Sequence, residues 1–206
     1  MPFLSISEEE YLKGQVKDYC SFESKYPHWI IGQRRYLESN LLKLNTDLSI
    51  LDVACGDGVG LDILKEFGFH NIIGADINMI KTDRARKNNH TIFDYDIRYM
   101  PGFKNEQFDI VYSSHTLEHV ANPVRAIDEI KRVLKNDGTL YVVLPYPDNG
   151  PDLAHFGKYE LGTDIDDNGE RVINYFVTAG FEILDCTFDS FREEEIWLKM
   201  RKVSIK

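Results

Sequence analysis

One stretch of the chain, Ile50-Leu51-Asp52-Val53-Ala54-Cys55-Gly56-Asp57-Gly58-Val59-Gly60, joins an apolar run to a segment with helical spacing. Glycine is favoured where a backbone turns tightly and comes close to a ligand. Asp76 stands twenty residues after Gly56, at the end of the next apolar run. A carboxylate there can accept hydrogen bonds from both hydroxyls of a ribose. The glycines alone also fit a turn that binds nothing, but together with Asp76 they predict a nucleoside ligand.

The spacing within this loop limits which nucleoside it can bind. A dinucleotide fingerprint reads Gly-x-Gly-x-x-Gly, and a phosphate loop ends in Gly-Lys-Ser or Gly-Lys-Thr. The loop has neither pattern, and Asp57 would repel a pyrophosphate. A zwitterionic or cationic ligand is therefore favoured.

The stretch from Leu48 to Cys186 resembles the class I S-adenosylmethionine-dependent methyltransferases, particularly the group related to ubiquinone and sterol methyltransferases. The glycine loop is similar to the first motif of that family. Tyr95-Asp96-Ile97 resembles the segment after its third strand, and Phe108-Asp109-Ile110-Val111 resembles its fourth strand. Residues 113–120 look like the loop and short helix beside the methionine moiety.

The resemblance implies S-adenosylmethionine as the cofactor and S-adenosylhomocysteine as its product. It assigns the adenine amino group to Asp96 and a backbone contact to Ile97. Many relatives carry glycine at the position of Ala54, so we expect a slight shift of the ligand there. The predicted cofactor-binding residues are Asp52, Ala54, Gly56, Gly58, Asp76, Ile77, Asp96, Ile97, Ser113 and His115.

Two histidines are candidates for a catalytic base. Methyl transfer from a sulfonium is an in-line displacement, so the protein mainly supplies proximity, and a hydroxyl acceptor adds the need for a base. His115 lies just past the fourth predicted strand, and His155 lies on a long loop. Each also fits a role that moves no proton, in ordering its loop or in contact with solvent. His119, beside Glu118, is predicted to be structural.

Two segments, residues 22–29 and 145–167, are candidate lids over an acceptor. The first segment holds aromatic residues and the second combines tyrosines with aspartates, which together suit a polyhydroxylated ligand, although core rings and a solvated acidic loop explain the same residues. The chain resembles the O-methyltransferases that decorate deoxysugars such as rhamnose in glycan-building systems. A quinone-like or other small-molecule acceptor and a non-catalytic cofactor-binding scaffold are the alternatives. The predicted acceptor-binding residues are Tyr26, Trp29, Tyr146, Asp148 and His155.

Residues Asp164-Ile165-Asp166-Asp167-Asn168-Gly169 fit the first half of a calcium loop. Position twelve is Tyr175, whereas a calcium loop has glutamate there. A helix start capped by Asp167 or Asn168 explains the same residues. No metal site is therefore predicted, and metal dependence is left open because some sugar methyltransferases use a divalent ion.

The elements that position these residues follow from two hydrophobic rhythms. Nearly continuous apolar strands separated by helices are typical of a parallel sheet covered on both faces, so the fold class is α/β, Rossmann-like and doubly wound. The resemblance implies seven strands in the order 3-2-1-4-5-7-6, and the period of two in residues 193–203 predicts a final antiparallel strand. Predicted strands are residues 48–53, 71–75, 108–113, 139–144 and 181–186, and predicted helices are residues 60–67, 78–87, 123–134 and 171–179.

Two further helices are predicted before the first strand, one opening at Ser7 and one with a stripe from Trp29 to Leu44. A length of 206 residues favours one methyltransferase domain. Residues 1–46 are predicted to be its helical lid and residues 47–206 its catalytic core. The sequence does not fix the oligomeric state.

Composition narrows the partners and the compartment. Acidic residues outnumber basic ones by 34 to 24, giving a net charge of −10, which disfavours nucleic acid and anionic membranes. The basic residues Lys199, Arg201, Lys202 and Lys206 alternate along the final strand without a stacking platform. Cys20, Cys55 and Cys186 match neither a disulfide framework nor a zinc site. With no signal peptide and no apolar run of roughly 18 residues, the cytoplasm is predicted.

Overall fold

The computed structural model describes Lys13, residues 22–152 and residues 154–203. The predicted helix opening at Ser7, as well as Cys20 and Lys206, lies outside the described residues. The strands are β1 Ile50–Val53, β2 Ile72–Asp76, β3 Ile92–Asp94, β4 Phe108–Ser114, β5 Leu134–Pro145, β6 Phe181–Asp189 and β7 Glu195–Lys202. The helices are α1 Pro27–Leu41, α2 Val59–Glu66, α3 Met79–Lys87, α4 Pro123–Val133, α5 Lys158–Leu161 and α6 Glu170–Thr178, with 3₁₀ turns at Glu23–Lys25 and Leu117–His119.

The strands form one seven-stranded sheet in the order β3-β2-β1-β4-β5-β7-β6. Strand β1 pairs in parallel with β2 and β4, and β7 runs antiparallel to both β5 and β6. This arrangement confirms the predicted α/β class, the strand order and the antiparallel final strand. Among the described helices, none has both the length and the apolar character needed to cross a membrane.

Strand β5 begins five residues earlier than residue 139, the predicted start. Leu134 pairs with Phe108 and Thr139 with Ile110, so β5 carries extra residues opposite a short piece of β4. Asp137, with a φ of +58°, lies among them. The turn at Asp137 and Gly138 is therefore an irregularity inside the strand, of the kind a β-bulge produces.

Neighbouring residues of the same strand enter different hydrophobic clusters. Leu51 and Val111 pack in the cluster that includes α4 and α6, whereas Ile50 and Ile110 pack in the cluster that includes α1 and α2. Because successive side chains of a strand point to opposite faces, helices cover both faces of the sheet. Helix α1 joins this core through Tyr36, whose ring stacks on Tyr112 with centroids 5.8 Å apart.

The parallel strands β1, β2, β3 and β4 end at the same edge of the sheet. Ligands of open α/β sheets bind outside the carboxyl ends of the strands, where the chain changes direction. The segments that follow these strands therefore meet at this edge, where they form the cavity described below.

Candidate cofactor and acceptor site

A cavity of about 390 Å³ opens at the carboxyl edge of the sheet. This volume falls within the range of roughly 300–1,000 Å³ for small-molecule sites. Its wall includes predicted residues that the sequence separates widely. Those in the wall are Tyr26, Trp29, Ala54, Gly56, Asp76, Ile77, Asp96, Ile97, His115 and His155.

Asp76 ends β2 and is 8% exposed. Its Oδ2 accepts a hydrogen bond from the Gly56 N–H at 2.8 Å, and its Oδ1 accepts one from the Asn78 N–H at 2.7 Å. Burial raises the pKa of Asp76, while these two N–H groups and Lys81 act in the opposite direction. Two backbone donors thus fix the carboxylate, and each oxygen keeps a lone pair for a further donor.

The loop after β1 needs small residues in a left-handed conformation. Gly56 has a φ of +54°, and a Cβ there would lie 2.9 Å from the Glu23 Oε2. Ala54 has a φ of +55°, in the region that favours glycine, which gives a physical reason for glycine at this position in relatives. The loop therefore stays open only because it lacks larger side chains.

The 3₁₀ turn Glu23–Lys25 closes over this loop. The Ser24 hydroxyl donates to the Asp57 Oδ2 at 2.5 Å, and the Lys81 Nζ donates to the Glu23 Oε1 at 2.5 Å. Arg84 also pairs with Asp57. Burial raises the pKa of Glu23, and its Oε2 has no hydrogen-bond partner among the described residues.

The other end of this wall lies beyond β3. Asp96 and Ile97 line the cavity, and Arg98 Nη2 holds the Asp96 Oδ2 at 2.6 Å. The Glu23 Oε2 in the wall and the Asp52 Oδ2 behind it are both buried without a hydrogen-bond partner within the described ranges. Buried acceptors of this kind call for donors or positive charge. The residues present therefore fit a cationic nucleoside such as S-adenosylmethionine.

His155 is held by a buried carboxylate. Its Nδ1 lies 2.7 Å from the Asp148 Oδ1 and 2.8 Å from the Oδ2, and Asp148 is 2% exposed. The tautomer that satisfies this contact has Nδ1–H as donor and leaves Nε2 as an acceptor. Gly150 must be glycine here, because a Cβ would lie 2.3 Å from the His155 ring. His155 therefore has the geometry of an oriented base.

His115 is held differently, between two carboxylates. Its Nδ1 lies 3.1 Å from the Glu193 Oε1, and its Nε2 lies 3.1 Å from the Glu195 Oε1. Burial, followed by the charge of Arg192, lowers the pKa of His115. The ring also packs edge-on against Trp29, with centroids 5.1 Å apart. Because both nitrogens already face acceptors, His115 is less free than His155 to take a proton.

Glu118 lies fully buried in the wall next to these histidines. Neither of its carboxyl oxygens has a hydrogen-bond partner in the described part of the chain, and burial raises its pKa well above the usual range. The Nε2 of His119 lies 3.7 Å from the Glu118 Oε1, its Nδ1 faces the Ala154 carbonyl at 3.0 Å, and burial lowers the pKa of His119 to about 4. This end of the cavity thus contains a carboxyl group that a ligand can still satisfy.

Five predicted residues lie outside the wall, and each has another role. Asp148 orients His155, and Asp52 is buried below the loop. Gly58, with a φ of +90°, lets α3 approach, because a Cβ would lie 3.0 Å from Ala85. The strand alternation turns Ser113 away and leaves Ser114 in the wall.

Tyr146 needs the largest correction. Its ring is 3% exposed, and its hydroxyl donates to the Asp167 Oδ1 and accepts from the Gly169 N–H, both at 2.7 Å. The side chain therefore orders the start of α6 and does not reach the cavity. An aromatic residue after a strand gives the same sequence signal in either role.

The wall also contains residues that the sequence reasoning missed. Lys81 lies in α3, after Asp76, and belongs to no recognised sequence motif. The other missed residues come from segments outside the motif region: Glu23, Gln33, Arg192 and Glu193. The run Phe-Arg-Glu-Glu-Glu at residues 191–195 is typical of a solvated turn. Only Glu195 and the Arg192 side chain are buried within this run, and the burial of Arg192 depends on packing against α1, which no local pattern indicates.

The acidic loop after residue 163 is bound within the protein. Arg171 pairs with the Asp164 Oδ1 at 2.8 Å, and Gly169 precedes α6, where an Asp167 or Asn168 cap was expected. Elsewhere, His115, Glu193 and Glu195 offer ligand atoms within 4.8 Å of one another. The Arg192 Nε already donates to the Glu195 Oε1 at 2.5 Å, so the Glu195 carboxylate of this cluster is paired with the protein's own guanidinium.

Comparison with known proteins gives one family. The methyltransferase-domain family matches residues 51–142. An uncharacterised protein of Methanocaldococcus jannaschii is 37% identical over 147 residues, which are 66% of this chain and 63% of that protein. The ubiquinone biosynthesis O-methyltransferase of Actinobacillus pleuropneumoniae is 31% identical over 103 residues, 45% of this chain and 43% of that protein. A tRNA U34 carboxymethyltransferase of Campylobacter hominis is 26% identical over 131 residues, 60% of this chain and 46% of that protein.

Solved structures share the fold at lower identity. A SAM-dependent methyltransferase of Aquifex aeolicus matches with a TM-score of 0.65 and 17% identity, over 89% of this chain and all of that one. The cyclase SpnF matches with a TM-score of 0.67 and 20% identity, over 86% of this chain and 82% of that one.

The chain spans about half the length of the curated relatives it matches. The motif region coincides with the family match, and the sheet has the strand order that the resemblance implies. Residues 51–142 therefore match the methyltransferase-domain family, and this match together with the fold supports the class I S-adenosylmethionine-dependent methyltransferases.

Proposed function

We propose that the chain transfers a methyl group from S-adenosylmethionine to a sugar hydroxyl, in a glycan or in a deoxysugar such as rhamnose. When bound, the cofactor supplies an electrophilic methyl group on a sulfonium sulfur. Asp76 accepts hydrogen bonds from the ribose hydroxyls, and Asp96 accepts one from the adenine amino group. The acidic wall around Gly56 favours a positive charge.

His155 is the base in this proposal. The acceptor oxygen attacks the methyl carbon in line with the carbon–sulfur bond, whose electron pair stays on sulfur, and the hydroxyl proton passes to the His155 Nε2. The single observation that carries this assignment is the contact between Asp148 and the His155 Nδ1 at 2.7 Å, which leaves Nε2 as the acceptor. His115 shapes the acceptor wall together with Trp29.

The acceptor class rests on the chemistry of the wall. Tyr26 and Trp29 offer ring faces to the apolar side of a sugar, and Glu118 and Glu193 offer carboxyl oxygens to its hydroxyls. A lipid acceptor would call for a more uniformly apolar wall. Because a relative is named a ubiquinone biosynthesis O-methyltransferase, a quinone-like acceptor is the second candidate.

Product analysis distinguishes these acceptors. Purified protein is incubated with the cofactor and a panel of defined glycosides, quinols and peptides, with and without a chelator, and the products are weighed by mass spectrometry. We expect a mass gain of one methyl group on a glycoside. A methylated quinol beside unchanged sugars contradicts the sugar proposal, and turnover that the chelator abolishes would show that a divalent metal takes part.

A scaffold that binds the cofactor without turnover is the alternative of another class. The fold alone does not decide this question, since a structural neighbour is named a cyclase. Our proposal of an enzyme is supported by the presence, in the same cavity, of the oriented His155 and the carboxylate Asp76. Release of labelled methyl groups to acceptors in cell extract is expected, and tight binding of S-adenosylhomocysteine without any release favours the scaffold.

We also propose that nucleic acid is not the acceptor, although one relative is named for tRNA. The net charge is −10, Arg201 pairs with Glu182 at 2.5 Å, and Lys202 donates to the Leu134 carbonyl. We expect no mobility shift of bulk tRNA at low salt. Micromolar binding that weakens as salt rises contradicts this expectation.

A cytoplasmic location and a single domain with residues 1–46 as its lid are part of the same proposal. Cys55 and Cys186 are free thiols, and a reducing compartment keeps thiols in that form. Fractionation of cells that produce the tagged chain tests the location. Limited proteolysis with and without S-adenosylhomocysteine tests the lid, because ligand binding should protect cleavage sites near residues 22–29.

A further inference from the structure

Arg192, in the connection between β6 and β7, lines the cavity although it comes from outside the family match. Its side chain is only 4% exposed. The guanidinium carbon lies 4.2 Å from the centroid of the Trp29 ring, and the Nε donates to the Glu195 Oε1 at 2.5 Å. Within the described residues, the two terminal nitrogens of Arg192 donate to no acceptor.

The position of this guanidinium is fixed by several contacts. Glu195 accepts from the Trp197 Nε1 at 2.8 Å as well as from Arg192, and the contacts with His115 and Arg192 lower its pKa to about 2 despite burial. Helix α1 approaches closely because residue 32 is glycine, where a Cβ would lie 3.2 Å from the Arg192 Cβ and Cδ. The Arg192 guanidinium, with its fork of two terminal nitrogens, is therefore oriented before any ligand binds, which reduces the entropy lost on binding.

The other cation of the wall is already paired. The Lys81 Nζ donates to the Glu23 Oε1 at 2.5 Å, at the ribose end. Arg192 is thus the cationic side chain at the histidine end of the described wall, where its two terminal nitrogens remain available to a ligand. These terminal nitrogens are not fully buried, and a planar carboxylate can accept from two of their N–H groups at once. Glu118 and Glu193 in the same wall disfavour a more highly charged phosphate.

We propose that the terminal nitrogens of Arg192 bind a carboxylate group inside this cavity. Two ligands of the proposed function can supply that group, and the inference rests on that function. One is the methionine carboxylate of the cofactor, and the other is the carboxylate of an acidic acceptor such as a uronic acid. The chemistry at Arg192 is the same, and the source is settled by two binding experiments.

The first experiment measures cofactor affinity by calorimetry. S-adenosylhomocysteine and its decarboxylated analogue are titrated into the native protein, Arg192→Gln and Arg192→Lys. If the cofactor supplies the carboxylate, Arg192→Gln weakens S-adenosylhomocysteine at least 10-fold and leaves the analogue unchanged. Arg192→Lys keeps the charge without the fork and is expected to recover part of the loss.

The second experiment uses the protein saturated with S-adenosylhomocysteine, so it does not depend on turnover. Methyl glucuronoside and methyl glucoside are compared by calorimetry. If the acceptor supplies the carboxylate, the native protein binds the glucuronoside at least 10-fold more tightly, Arg192→Gln loses that preference, and cofactor affinity changes less than twofold.

Arg35→Gln is the matched control. Arg35 stacks on Phe191 of the same connection at 4.6 Å and pairs with Asp189 outside the cavity. We expect native affinities for both ligands. The proposal is overturned if Arg192→Gln and Arg192→Lys bind S-adenosylhomocysteine as the native protein does and keep its preference between the two glycosides. Failure of the proposed sugar methylation would leave the cofactor experiment readable.

Discussion

The two ends of the cavity differ in how completely their carboxyl groups are satisfied. At the ribose end, both oxygens of Asp76 accept backbone hydrogen bonds. At the histidine end, both oxygens of Glu118 lack a hydrogen-bond partner among the residues described. Asp76 and the glycine loop of the ribose end lie inside the family match, with the turn Glu23–Lys25 packed over them from outside it, whereas Trp29, His155 and Arg192 at the other end all come from outside it. In the proposed function, cofactor recognition therefore depends mainly on short-range backbone geometry, whereas the acceptor wall is assembled from distant segments.

The largest effect is expected from a substitution that changes only the histidine end of the cavity. His155→Ala should lower kcat by roughly 100-fold or more, because the base is lost, while calorimetry shows unchanged affinity for S-adenosylhomocysteine. Asp148→Asn should reduce turnover in the same direction by removing the acceptor that orients His155. His70→Ala, an exposed histidine beside Asp47, is the control. A greater loss of kcat in His115→Ala would contradict the assignment of the base.

Acid stability sharpens the same contrast. The pKa of Glu195 falls from 4.5 to about 2 in the folded chain, so its contribution is full above pH 4.5 and is lost as the pH falls toward 2. Glu195→Gln should remove on the order of 2 kcal/mol of this pH-dependent stability. Urea unfolding at pH 6 and pH 3 measures it, with the exposed Glu38→Gln as control. An equal acid loss in Glu195→Gln and the native protein would rule out this origin.

The ribose end is broken by Asp76→Ala. Losing a charge-assisted pair of hydrogen bonds should weaken binding of S-adenosylhomocysteine by about 1.5 kcal/mol or more. Calorimetry measures the affinity, and Asp83→Ala removes an exposed carboxylate of α3, in the same region. Native affinity in Asp76→Ala would exclude the proposed ribose contact.

The smallest expected effect tests the loop itself. Ala54 has a φ of +55°, so Ala54→Gly relieves backbone strain but adds freedom to the unfolded chain, for a net gain of about 0.5 kcal/mol. Ala126→Gly, inside α4, should instead lose about 1 kcal/mol or more. Thermal unfolding compares the two variants, and a loss in both would show that Ala54 carries no strain.

The sequence predicted the parts that depend on neighbours along the chain. Asp76 and Gly56 follow apolar runs directly, so the strand ends place them at one edge. The extra length of β5 was missed because the strand continues through the turn at Asp137, which forms a β-bulge within it. Arg192 and Glu23 reach the cavity only because α1 and the β6–β7 connection pack over it. Tyr146 was misplaced since its hydroxyl finds the start of α6, a partner that spacing does not indicate.

The buried Glu118 has a practical consequence for finding the acceptor. A carboxyl group whose oxygens lack partners lowers the stability of the chain by itself. A compound that donates hydrogen bonds to this group stabilises the folded state both by its mass-action binding and by relieving that cost. Melting temperature can therefore rank candidate acceptors in a simple dye-based screen, before any assay of turnover exists.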